Sequence, residues 1–320
     1  MSGRVYGAVS LGVVSLAALI LVVGVEFAVA ADDTTDLIKQ LKSGKPAQRV
    51  QAANELGRRG AKDKAAIEAL AEAIGDKDPT VQRAAIRALR NIDPDPSIAR
   101  PIAIRALASA DPAVAISAVQ ILAEEGEKVV PRMIDALQDE QARYWAILVL
   151  QDLGPKAKGA VPQLVEVARG EAEPEVRREA LIAIGEIGPP AASALPALAM
   201  LAESDDDPAI VIAATYALGA IGEAARSALP LLREQTETGS DFLQVVSSWS
   251  LARVAGGTDP ILRQVVPRLV AGLVDKNERG VRIAAAKAIV DLRPDHSILL
   301  PELERVMSQA TPEMIEDAVA

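Results

Sequence analysis

Residues Ala160–Pro189 read AVPQLVEVARGEAEPEVRREALIAIGEIGP, and the fold follows from this stretch. Pro162 opens an apolar run in which Leu164, Val165 and Ala168 fall on one helical face. Proline is tolerated at the start of a helix because its missing N–H would have had no partner there. At Glu173-Pro174 a carboxylate precedes a second such proline, where it can cap exposed amides and complement a helix dipole. Beyond it, Val176, Ala180, Ala183, Ile184 and Ile187 form another stripe at helical spacing. Gly185 and Gly188 fit close packing and a helix stop, so the second helix is expected from Pro174 to Gly185. The stretch is a pair: helix A, a short turn, helix B.

The pattern extends in both directions. A Leu or Ile near the end of each helix B recurs as Leu56, Leu89, Leu122, Leu150, Ile184, Leu218, Leu251 and Ile289. Five of the seven steps between them are 33 or 34 residues, which sets the repeat length. Four residues before each anchor stands a small residue: Ala52, Ala85, Ala118, Ala146, Ala180, Ala214, Ser247 and Ala285. A proline marks helix A at Pro162, Pro196, Pro230, Pro267 and Pro301, and an Asp-Pro pair opens helix B at Asp78, Asp111 and Asp207. Neither helix of a pair can bury its apolar face alone, so neighbours must stack, and the small column lets successive helices approach closely. The expected fold is all-α: an α-solenoid of about eight helix pairs in a right-handed superhelix, over residues 31–307. Asp33–Lys42 and Ile298–Met307 are expected to cover its two ends, with a polar tail over 308–320.

These segments, together with ALPALAMLAESDDDPAIVIAATYALGAIGE at Ala194–Glu223, resemble HEAT repeats, most of all the short glycine-ended kind also found in phycobilisome lyases. The resemblance covers everything but the first 30 residues and the tail. It implies a binding scaffold and says little about the partner, because one repeat scaffold hosts many functions.

Two enzymes of this repeat type set the limits on chemistry. Deoxyhypusine hydroxylase binds iron through paired His-Glu motifs, whereas this chain has one histidine, His296, followed by Ser297. That residue is expected in a solvent-exposed turn over Pro294–Ser297. Phycobilin lyases work inside the cytoplasm, and residues 1–30 point elsewhere. Arg4, an apolar run from Val5 to Val25 and the Ala28-Val29-Ala30 ending are the three parts of a secretory signal peptide. Cleavage after Ala30 gives an exported, periplasmic or secreted protein. The run of about 20 residues is also long enough to span a bilayer, so the alternative is a membrane anchor with the solenoid outside the cytoplasm.

Composition removes further classes. The absence of cysteine excludes disulfides, thiolate metal sites and Cys nucleophiles. A net charge of −10 with no dense cationic block argues against a nucleic-acid partner. Acidic residues of the A–B turns, from Asp76 and Asp78 to Asp205-Asp206-Asp207 and Asp275, invite a calcium reading. No EF-hand spacing accompanies them, and capping accounts for most, so no metal, cofactor or catalytic residue is assigned. No G-x-S-x-G, Walker A or G-x-G-x-x-G motif occurs.

One constellation remains. Two residues before each anchor, helix B should point away from the helix-A layer, giving the column Asn54, Arg87, Gln120, Leu148, Ile182, Tyr216, Trp249 and Lys287. It is polar in repeats one to three, apolar in four to seven and charged again in eight. One turn earlier lie Tyr144, Ile212, Val245 and Ile283. A rimmed apolar band with Tyr and Trp anchors is the mark of an interaction surface. Tyr144, Leu148, Ile182, Ile212, Tyr216, Val245 and Trp249 are therefore the candidate partner-binding residues. The competing reading is that they fill gaps between adjacent B helices. Trp145, one residue before its column alanine, is expected in the core. The function expected is a non-enzymatic scaffold for an unidentified protein partner, with an accessory subunit or lyase-like enzyme holding a substrate or pigment as the alternative.

Overall fold

The computed structural model describes residues 33–60, 63–170, 172–274 and 278–309. The expected signal segment and most of the tail lie outside them. Among the described residues the regular structure is helical throughout, with no strand. Contacts divide the chain into two compact units that part between Ile121 and Leu122.

The first unit holds α1 (33–43), α2 (Pro46–Arg59), α3 (Lys64–Ala73), α4 (Pro79–Ile92), α5 (Pro96–Ala106) and the greater part of α6 (Pro112–Glu124). Its even-numbered members are the B helices. Two of the caps read from the sequence are present here: the Asp78 carboxylate accepts from the Thr80 amide at 2.8 Å and that of Asp111 from the Ala113 amide at 2.9 Å, whereas Glu173 makes no side-chain cap hydrogen bond ahead of Pro174. Helices α2 and α4 pack tightly because Gly57 faces Ala88, where an added Cβ would meet the Ala88 Cα at 2.7 Å.

The second unit holds α7 (Val130–Ala136), α8 (Glu140–Leu153), α9 (Val161–Arg169), α10 (Pro174–Ile187), α11 (Leu195–Ser204) and α12 (Pro208–Ile221). It continues with α13 (Leu229–Thr238), α14 (Asp241–Ala255), α15 (Asp259–Leu273), α16 (Arg279–Leu292) and α17 (His296–Gln309). The B helices α8, α10, α12, α14 and α16 each pack on the next, and each A helix from α7 to α15 packs on the B helix that follows it. All eight members of the small column, in both units, are completely buried. Seven anchors are buried with them, while Ile289 is half-buried. Its helix, α16, is the last B helix among the described residues, which leaves Val290 73% exposed as well.

Three local expectations are corrected. Helix α10 runs past Gly185 to Ile187 and stops at Gly188, which takes φ +71. Gly185 therefore serves close packing alone, and the left-handed stop falls to the second glycine. Pro162, Pro196 and Pro230 open their helices behind short 3-10 segments, but Pro267 and Pro301 lie inside α15 and α17. In α15 the turn ahead of Pro267 is itself α-helical, from Asp259 onward, so the same repeat position becomes a helix interior. Helix α17 also continues to Gln309, two residues beyond its expected end at Met307.

Polar groups tie neighbouring repeats together. Arg49 pairs with Asp76 at 2.6 Å and Arg83 with Asp111 at 2.7 Å in the first unit, and Arg177 with Asp205 at 2.5 Å in the second. Each arginine on helix B thus reaches the carboxylate in the A–B turn of the following repeat. Where the small column changes to Ser247, its hydroxyl donates to Gln235 Oε1 at 3.1 Å, which also accepts from Thr215. Gln235 in turn donates to the Ala202 carbonyl at 2.8 Å, and Ser250 donates to that of Thr215 at 2.9 Å. These buried groups are satisfied, as burial requires.

Candidate protein-binding groove

Helices α10, α12, α14 and α16 present Ile182, Tyr216, Trp249 and Lys287 at the same repeat position. Packing at Gly185 determines where the first aromatic lies: an added Cβ there would meet Tyr216 Cε1 at 2.7 Å, so the ring sits directly across α10. The Tyr216 hydroxyl donates to Glu186 Oε1 at 2.7 Å. Its ring stacks on Trp249 with centroids 5.3 Å apart and planes 13° from parallel. The indole N–H of Trp249 then donates to Asp291 Oδ2 at 2.8 Å, and the guanidinium of Arg253 lies 5.8 Å from the indole ring centroid. A continuous ribbon, Glu186–Tyr216–Trp249–Asp291, therefore crosses four successive B helices. Burial pushes the Tyr216 phenol well above its ordinary range, aided by the hydrogen bond and charge of Glu186 and by the charge of Asp291, with Arg253 opposing.

Beside the ribbon is a cavity of about 790 Å³. Ile182 of α10, Ile212 and Ala213 of α12, and Phe242, Val246 and Trp249 of α14 are among the residues that line it. Arg178, Lys287 and Asp291 supply charge at its rim. Five of the seven candidate residues, Ile182, Ile212, Tyr216, Val245 and Trp249, line this one space. Val245 is only 2% exposed and belongs to its floor. Tyr144 and Leu148 are on α8, half-buried and outside the lining. Tyr144 instead meets Trp145 edge-to-face at 5.3 Å, and burial raises its pKa, followed by the charges of Glu179 and Glu175. Trp145 is half-buried rather than fully within the core, and Ile283 is 45% exposed.

Along the whole column the burial follows the residue type. Asn54, Arg87, Gln120 and Lys287 are exposed, whereas Leu148, Ile182, Tyr216 and Trp249 are half-buried. Sequence reasoning missed Phe242 and Arg178. Phe242 lies nine residues before Leu251, one helical turn beyond the flanking column, and extending the stripe by that turn would have found it. Arg178 occupies the flanking position of repeat five itself.

Among the described residues, the turn carboxylates of the second unit serve as ion-pair partners and caps. The Asp205 carboxylate accepts from Arg177 and from the Asp207 amide, and the Asp207 carboxylate caps Ala209. Burial would raise the Asp205 pKa, but the Arg177 hydrogen bond, the Asp207 amide and the arginine charge together hold it low. For Asp111 the Arg83 hydrogen bond is the largest influence, and the net shift is likewise downward. Among the described residues no group of three or more His, Asp or Glu side chains could share a metal ion, and Asp275 lies outside them. His296 is exposed, as the first residue of α17 rather than in the preceding turn.

Comparison with known proteins agrees with this architecture. The family model for HEAT repeats matches residues 34–101 and 161–252, together half of the chain. No curated protein matches the sequence. Among solved structures, importin beta in an ammonium sulfate condition aligns with a TM-score of 0.57 at 19% identity, covering 84% of this chain and 41% of that one. Kap95p, described as switching the loops of RanGDP to the GTP-bound conformation, aligns at 0.56 and 16% identity, over 82% of this chain and 41% of that one. This chain thus spans about two fifths of their length, and at such identities the likeness is one of fold. The complex of CpcE and CpcF of phycocyanin lyase from Nostoc is 21% identical over 60% of this chain and 98% of that one. Its TM-score of 0.34 carries no argument. Stacked A–B helix pairs, a buried small column and a family model matching half of the sequence lead to one conclusion: the chain belongs to the HEAT-repeat family.

Proposed function

We propose that this protein is a non-enzymatic scaffold that binds another protein through the B-helix face of its second unit, and that it works outside the cytoplasm. The observation that carries the reading is the Tyr216–Trp249 stack, which is half-buried beside an open apolar space although its own polar atoms are already partnered. Residues that only filled a gap between helices would leave no such space beside them. Large aromatics at the centre of an apolar patch are the usual anchors of a protein interface. The export part of the proposal rests on the sequence of residues 1–30, with membrane anchorage as its alternative.

The test is the double variant Tyr216→Ala, Trp249→Ala. It is expected to keep the helical circular dichroism and cooperative melting of the parent. Partner affinity should fall by about 2 kcal/mol or more. The parent chain, used as bait in an extract of its native host, identifies the proteins against which that loss is measured. A variant that unfolds, or that retains the same proteins, removes the groove as the binding site.

A second reading has one observation in its favour. A space of about 790 Å³ is of a size that holds a small molecule. Under that reading the protein purified from its host carries a bound compound or pigment visible by absorbance or mass spectrometry. Under the first it is colourless and empty. Intact mass of the same sample tests export, with Ala31 expected as the first residue.

A further inference from the structure

The polar groups around the groove are unevenly committed, and this limits what can occupy it. Both donors of the aromatic pair are engaged, the Tyr216 hydroxyl by Glu186 and the Trp249 indole by Asp291. A proline-rich ligand, read by free aromatic donors that bond its carbonyls, is therefore poorly served. At the α10 end, Arg178 is neutralised by Glu179 at 3.0 Å and Glu175 at 3.8 Å. Toward the other end, Lys287 lines the groove and Arg253, on α14 just outside the lining, lies over the Trp249 ring; both are exposed and form no ion pair or hydrogen bond among the described residues. Two cations without an ion-pair partner among the described residues thus stand on α14 and α16, against the single carboxylate of Asp291, in a chain whose net charge is −10. Both are donor-only groups that match carboxylates.

Backbone chemistry selects the shape. An extended segment laid in the groove would need acceptors for its amides, and the lining offers it little beyond Asp291, already bonded to Trp249. A helix satisfies its own backbone and needs only an apolar stripe to bury. Four B helices spaced about 8–10 Å apart present a face roughly 25–30 Å long. A helix of about 17–20 residues covers that distance at about 1.5 Å per residue. We infer that the groove accepts an amphipathic helix of a partner protein, with carboxylates flanking its apolar stripe at the end that lies over Lys287 and Arg253. This rests on the groove being the protein-binding face and adds the chemistry of what it binds.

The experiment selects random peptides of about 20 residues, displayed on phage, against the full chain. Peptides that also bind Tyr216→Ala, Trp249→Ala are removed. Chosen peptides are then titrated by tryptophan fluorescence. Selected sequences are expected to show apolar residues at helical spacing with Asp or Glu beside them. The reversal Lys287→Glu, Arg253→Glu should weaken them about tenfold or more, and exchanging the peptide carboxylates for Lys should recover binding to that variant. Groove-dependent peptides that are basic or proline-rich, or a charge reversal without effect, overturn the inference while leaving the groove as a binding face. If no peptide distinguishes the parent from the double aromatic variant, the groove reading itself fails and takes the inference with it.

Discussion

Tyr216 shows how much one side chain can owe to a neighbour it was not paired with in the sequence. Its ring has room only because residue 185 is glycine, and its hydroxyl is held by Glu186 from the preceding repeat. The phenolate is disfavoured by burial first and by two carboxylates after it, so the folded-state pKa lies above the unfolded value of about 10. The stabilisation that goes with this shift is fully present below the unfolded value and is lost as pH rises toward the folded one. Tyrosinate absorbance of the native protein should accordingly show a step above the ordinary range that is missing in Tyr216→Phe. If the step removed by that substitution sits at the usual phenol value, the ring is solvated and the ribbon across the B helices does not hold.

At the scale of the element, glycine decides how closely B helices approach. A Cβ at Gly219 would meet the Ser250 Cα at 2.7 Å, a backbone contact that no side-chain rotation relieves. Helix propensity alone would favour Gly219→Ala by about 1 kcal/mol. Overpacking against a fixed backbone costs about 1–3 kcal/mol, so the substitution should destabilise, and a denaturant melt gives the sign directly. A more stable Gly219→Ala would mean that α12 and α14 can part without loss. The completely buried column alanines belong to the same argument: Ala180→Leu should lose about 1–3 kcal/mol, and a change near zero would remove that column from the helix–helix contact. Helix ends were legible where an aspartate cap marks them, as at Asp78 and Asp207, whereas the stop expected at Gly185 falls at Gly188, because either glycine fits a helix end. They were not legible at Pro267, because a proline permits a helix start without enforcing one when the segment before it is already helical.

At the scale of the whole molecule, stability in a repeat stack is the sum of nearest-neighbour interfaces, and the arginine–carboxylate pairs belong to those interfaces. Asp111 and Asp205, one in each unit, are held below the usual carboxylate range in the folded protein. Their contribution is present above the unfolded value of about 3.9 and is lost as pH falls through the lower folded values. Denaturant midpoints measured from about pH 6 downward should therefore fall less steeply in Asp111→Asn, Asp205→Asn than in the parent. Parallel curves would show that the two pairs are not linked to folding.

The sequence by itself determined the repeat, its division into A and B helices, the small column and the stripe that becomes the B-helix face. All of these depend on spacing within one helix or on equivalence between adjacent repeats, and both are periodicities that a single chain displays. Tyr216 and Trp249 could be placed side by side for that reason alone. Only the tertiary structure decided that their donors turn to Glu186 and Asp291, that Phe242 joins them while Tyr144 stays apart on α8, and that Lys287 and Arg253 form no ion pair among the described residues. Such outcomes depend on the distances among four separate helices, and residues 30 or 42 apart find one another through packing that no local period encodes.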